Sequence, residues 1–150
     1  MPSVNQFKKD RSIDPLNLQN EFLEQPGTFY FYARQVEDAE DALRKGKLEL
    51  EVWVADKKKR IMEKARDLDE RATGVYIESQ LKTHAKWQRL KLKVIKLKKQ
   101  LGLLKIAKET ISEKRSSLMM LGAMYRENPE IFTKEESARN KKKKKKRGGK

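Results

Sequence analysis

Between Trp87 and Leu104 the apolar residues recur at alternating steps of three and four: Trp87, Leu90, Val94, Leu97, Leu101 and Leu104. Only an α-helix places such positions on one side, and the seam it makes must be covered by another helix. A second stretch carries a matching stripe at Val36, Ala39, Leu43, Leu50, Val54, Ile61 and Ala65. Between the two lies Thr73-Gly74, the glycine-containing turn signal of the mid-chain. No period-two alternation marks a strand. The expected fold is all-α: a long antiparallel helical hairpin, coiled-coil-like, with short flanking helices.

Local punctuation sets the expected boundaries. Residues 1–12 are polar and are read as a disordered N-terminus. Asp14 suits an N-cap with Pro15 at the first helical position. The short helix that follows, 15–24, is expected to stop at Gln25-Pro26-Gly27, with Thr28 capping a second helix from Phe29 to Leu68. A short segment from Tyr76 to Lys82 then leads into a third helix, halted by Asn128-Pro129 after Arg126. Residues 13–130 form the helical domain on this reading, and residues 131–150 a disordered lysine-rich tail. Gly46, Gly102 and Gly122 sit singly inside helical patterns and read as close-packing or bending points.

Charge narrows the function. The chain of 150 residues has a net charge of +15, and the last ten residues hold eight positive charges, leaving +7 on the first 140. From Lys82 to Lys108 there are ten basic residues and no acidic one. Folding does not require a single sign, because mixed Glu and Lys solvate a helix equally well. A polyanionic partner accounts for it. The candidate contacts there are Lys82, Lys86, Arg89, Lys91, Lys93, Lys96, Lys98 and Lys99. Lys58, Lys59, Arg60, Lys64 and Arg66, near the end of the second helix, form a second cluster that the chain reversal is expected to bring toward the third helix. The lysine tail adds on-rate and affinity without reading sequence.

Enzymatic chemistry finds little footing. There is no cysteine and one histidine, His84, so no Cys/His metal site can be built. No glycine-rich phosphate loop occurs. The expectation is a non-enzyme without metal or other cofactor. The first eleven residues lack the apolar core of a signal peptide, and no apolar run approaches the ~20 residues of a membrane span. The reading is a soluble protein of a reducing compartment.

The last part of the third helix is apolar on every side. Ile111, Leu118, Met119, Met120, Leu121, Met124 and Tyr125 exceed what one hairpin partner covers. Homo-oligomerisation is therefore expected through Ile111, Leu118, Met119, Leu121, Met124 and Tyr125, unless the N-terminal residues Leu16, Leu18 and Phe22 fold back over them.

The layout over residues 13–126 resembles the UvsY-type recombination mediators of tailed phages. The resemblance is carried by Gln25-Pro26 with an aromatic turn ending in Tyr32-Ala33, by Leu48-Glu49 and Lys64-Ala65-Arg66, by Ile77-Glu78-Ser79-Gln80-Leu81, and by Ile111-Ser112-Glu113-Lys114-Arg115. It implies small helical protomers in a ring, bound to single-stranded DNA in the cytoplasm of an infected bacterial host. The implied partners are a RecA-like recombinase and the single-strand-binding protein that it displaces. Lys64 and Arg66 are the strand-binding residues the resemblance nominates. Ile77 departs from the family, where Thr is frequent before the Glu of that segment. A coiled-coil structural or assembly protein of a phage particle is the alternative class, and binding to an anionic membrane surface ranks below it.

Overall fold

The computed structural model describes residues 2–68, 73–128 and 130. Among them the chain is helical, without strands: α1 (Val4–Arg11), a 3-10 turn (Pro15–Asn17), α2 (Leu18–Asp67), α3 (Gly74–Thr83) and α4 (Ala85–Glu127). The two long helices α2 and α4 pack antiparallel, as their seams require. The lysine tail lies outside the described residues.

The described residues divide into two compact units. One holds Gln35–Lys105 and is built on the two seams. Val36, Ala39 and Leu104 are buried together, with Leu101 against them. Gly46 marks a close approach of the helices: a Cβ built there would stand 2.9 Å from Leu97 Cδ1. Ion pairs Lys105–Glu40 (2.8 Å) and Lys93–Glu49 (2.6 Å) tie the flanks. At the end of this pairing the Trp53 ring lies 5.0 Å from the His84 ring. Thr73 caps α3 by accepting from the Tyr76 amide, and Ile77 and Leu81 on α3 are buried, as is Ala65 on α2.

The other unit combines α1, the 3-10 turn and the first part of α2, up to Arg34, with α4 from Ile106 onward. Tyr32, Ile111 and Leu118 are fully buried in it. Ile111 and Leu118 continue the α4 seam at steps of seven from Leu104. Burying each stabilises the unit by about 1.5–3 kcal/mol. Two lysines of α4 also turn toward this unit, Lys108 at a seam position and Lys114 beside the seam. Lys108 places its ammonium 5.7 Å from the Phe29 ring centroid. Lys114, with a side chain only 9 % exposed, meets Glu21 at 2.6 Å and donates to the Asp10 carbonyl at 2.9 Å. Glu21 also accepts from the Asp14 amide, and the Tyr32 hydroxyl donates to Asp10 at 3.0 Å. This polar network joins α1, the 3-10 turn, α2 and α4.

Several boundaries differ from the sequence-based expectation. Asp14 does cap the 3-10 turn, accepting from the Leu16 amide. Residues 1–12, expected to be disordered, include α1. Ser3 caps it, Phe7 lies edge-on to Tyr32 at 6.0 Å, and Asp10 accepts from Tyr32. A short polar helix with one aromatic anchor carries almost no periodic signal, which is why it escaped notice. Helix α2 runs straight through Pro26-Gly27 rather than restarting at Phe29, and Thr28 donates to the Glu24 carbonyl within the helix instead of capping. Proline inside a helix costs about 3 kcal/mol. Buried anchors on both sides offset that cost: Gln25, whose amide donates to the Ile111 carbonyl (3.1 Å), and Tyr32.

Candidate nucleic-acid interface

The basic stretch is divided at His84. That residue is extended (φ −77, ψ 124), closing α3 and opening α4. Its Nδ1 accepts the Lys86 amide at 3.1 Å, supplying a side-chain cap where four amides would otherwise lack partners. Lys82 consequently sits on α3, paired with Glu78 at 3.2 Å, and does not continue the row of Arg89 and Lys96.

On α4 the lysines have unequal surroundings. Lys93 and Lys105 are held by Glu49 and Glu40 of α2, so part of the positive face is neutralised within the chain. Lys91 stands over the Trp87 ring at 5.4 Å. Lys86, Arg89, Lys96, Lys98 and Lys99 are exposed and form no ion pair among the described residues. Half a turn of helix separates the outermost of these from the apolar seam, so their charges point into water.

The cluster on α2 lies farther along the hairpin than expected. Because Trp53 already meets His84 at the start of α4, residues 58–66 run on past that start. They do not flank Arg89–Lys99, which instead faces the Gly46–Glu49 region of α2. Lys58, Lys64 and Arg66 are exposed and make no ion pair among the described residues, whereas Lys59 and Arg60 reach Glu63 (3.9 Å) and Asp56 (3.1 Å) on their own helix. Exposed pairs of this kind contribute at most about 1 kcal/mol and yield readily to a phosphate.

The expected oligomer face is corrected in part. Ile111 and Leu118 are fully buried inside the chain and cannot meet another copy. Phe22 of α2 covers this region, its ring atoms 3.2–3.3 Å from a Cβ built at Gly122. Leu121 is half-buried, while Met119, Met120, Met124 and Tyr125 remain exposed. An open groove of about 500 Å³ lies beside them, with Phe22, Pro26, Phe29, Arg115 and Met119 in its walls.

No group of His, Cys, Asp and Glu among the described residues could hold a metal ion, and none of their helices is long and apolar enough to cross a membrane. Among the described residues, Tyr32 is a strongly perturbed titrating group. Burial, then the hydrogen bond to Asp10 and its charge, push its phenol far above the ordinary tyrosine range. It is a buried structural hydroxyl with no opening to a reactant.

Sequence reasoning missed the Asp10–Tyr32–Lys114–Glu21 network. Lys114 falls off the α4 seam, whose steps lead from Leu104 to Lys108, Ile111, Arg115 and Leu118, so the seam carried no signal for this network. Comparison with known protein families, characterised proteins and solved structures finds no match to this chain.

Proposed function

We propose that the chain binds single-stranded nucleic acid through its phosphates, with Arg89, Lys96, Lys98 and Lys99 on α4 as the main contacts. Lys64 and Arg66 on α2 serve as a second, separate contact. The observation that carries this reading is the row of exposed α4 cations left without acid partners, although α2 supplies acids to Lys93 and Lys105 next to them. Phosphate contacts position a strand without reading its bases, so sequence preference is weak. Joined to the resemblance to UvsY-type proteins, the reading becomes a recombination mediator. The protein would catalyse nothing. It would hold single-stranded DNA and help a RecA-like recombinase replace the single-strand-binding protein, as a homo-oligomeric ring in the cytoplasm of an infected host.

The test is anisotropy of a labelled oligonucleotide at a series of salt concentrations. For about six phosphate contacts to a single strand, the log–log slope of affinity against salt is about −4. A slope near zero would sink the proposal. The exposed apolar residues of the long helices favour a second reading, a coiled-coil assembly protein of a phage particle. Co-elution with an acidic protein, and not with the oligonucleotide, would favour that one.

A further inference from the structure

The unit that contains α1 has an open groove of about 500 Å³ between the first part of α2 and the last part of α4. Phe22, Pro26 and Phe29, at helical steps of four and three, form one wall, and Ser112, Arg115 and Met119 form the other. Apolar surface runs on outside it. Leu23 and Tyr30, three before and four after Pro26, are 72 % and 67 % exposed, and Met120, next to Met119, is 63 % exposed. Tyr32, Ile111 and Leu118 already close the core of this unit, so these outer side chains are left facing water. Contiguous apolar surface built from adaptable methionines and rigid aromatic rings marks an interaction site.

One charge sets the chemistry of an occupant. Arg115 is the charged residue of the lining, stands at a seam position of α4, and has no ion pair among the described residues. The other charges within a turn of the lining residues are accounted for. Lys108 stands over the Phe29 ring, Lys114 and Glu21 hold each other, and Glu24, Glu109 and Glu113 do not line the groove. A purely apolar occupant would strip water from the Arg115 guanidinium and leave it unpaired, which is costly. An occupant that brings a carboxylate meets it with a charge-assisted, bidentate pair. Size then favours a peptide. Small-molecule sites bury most of their ligand, which an open groove does not. From Ser112 to Met119 is about 10 Å of helix, matched by two to three turns of a partner helix with apolar anchors at steps of three and four.

We infer that this groove docks an amphipathic helix of another protein, which lays apolar side chains on Phe22, Pro26, Phe29 and Met119 and presents an Asp or Glu to Arg115. A second copy of the chain set groove to groove would oppose Arg115 to Arg115 and is disfavoured. The inference rests on the groove alone and does not depend on nucleic-acid binding.

A displayed library of random peptides about three turns long, panned on nuclease-treated full-length chain, tests it. Panning at high salt screens indiscriminate attraction to the positive surface. Enriched peptides should carry apolar residues at helical spacing with Asp or Glu among them. Fluorescence anisotropy then follows one such peptide, made synthetically. Arg115→Gln and Met119→Asp should each weaken it about tenfold or more, whereas Lys47→Gln, which removes the same charge as Arg115→Gln from elsewhere on the surface, should leave it unchanged. Exchanging the peptide's acid for its amide should cost the wild type as much as Arg115→Gln does, and should cost the Arg115→Gln chain nothing further. All three positions are exposed, and unchanged helicity by circular dichroism verifies the fold. No enrichment, a consensus without carboxylates, or an equal loss in Lys47→Gln would each overturn the inference. So would a light-scattering mass that Met119→Asp lowers without peptide, because a second copy would then fill the groove.

Discussion

Replacing Lys114 with Met probes the polar network that organises the unit containing α1. Its ammonium lies 2.6 Å from Glu21 and 2.9 Å from the Asp10 carbonyl, and both side chains of the pair are largely shielded, 9 % and 18 % exposed. The change keeps the stem and most of the volume, so lost packing contributes little. What remains is Glu21, still bonded to the Asp14 amide but without its cation, and a carbonyl without its donor. Breaking a buried pair from one side costs about 3–5 kcal/mol. Glu21 retains some water contact, so about 3 kcal/mol is expected, a fall of roughly 10 °C in melting temperature. Adding Glu21→Leu removes the stranded charge and should return stability to within about 1 kcal/mol of the wild type. Urea denaturation of the two single variants and the double variant gives the cycle. A single-variant loss below about 1 kcal/mol, the scale of a surface pair, would refute the argument.

Three other expectations concern packing and pH. Gly102→Ala, where an added Cβ meets nothing within 4 Å, should stabilise by about 0.5–1 kcal/mol, whereas Gly46→Val, driven into Leu97, should destabilise; thermal melts compare them. Leu118→Asp should unfold the unit around it rather than split an assembly, since the residue is fully buried, while Met120→Asp at an exposed site should leave helicity intact by circular dichroism. Tyr32 keeps its proton in the folded state above the pH at which the unfolded chain releases it. Stability should therefore fall as pH rises past about 10, by up to about 1.4 kcal/mol per pH unit from this group, and Tyr32→Phe should flatten that dependence in alkaline urea titrations.

The hairpin was legible in the sequence because its signal is long. The α4 seam from Trp87 to Leu104 and the α2 stripe from Val36 to Ala65 are the less exposed sides of their helices. Breaks were less legible. Pro26-Gly27 reads as a stop, yet buried Gln25 and Tyr32 keep one helix running through it. His84 reads as a surface or capping residue at a helix start, and it does cap α4, but that the same residue also closes α3 was not legible. Helix α1 was invisible because its anchors, Phe7 and Asp10, are meaningful only beside Tyr32. The candidate contacts on α4 could be named from their lack of acids, but not which of them α2 neutralises. That pairing depends on the register that sets Glu49 beside Lys93 and Glu40 beside Lys105. Burial of Ile111 and Leu118 was likewise a register effect, visible at steps of seven from Leu104 once the seam is carried past Lys108.

The claim that the unpaired cations of α4 hold a nucleic-acid strand is tested most directly by the salt dependence of matched charge variants. Arg89→Gln, Lys96→Gln and Lys99→Gln together remove three charges from α4. Lys8→Gln, Lys9→Gln and Arg11→Gln remove three from exposed positions of α1. Net charge falls equally in both, so a nonspecific field effect would weaken both alike. At about 0.7 per phosphate, the α4 variant should lose about 2 from the log–log slope for single-stranded oligonucleotide, while the α1 variant keeps the wild-type slope. Equal slopes in the two variants would contradict the account.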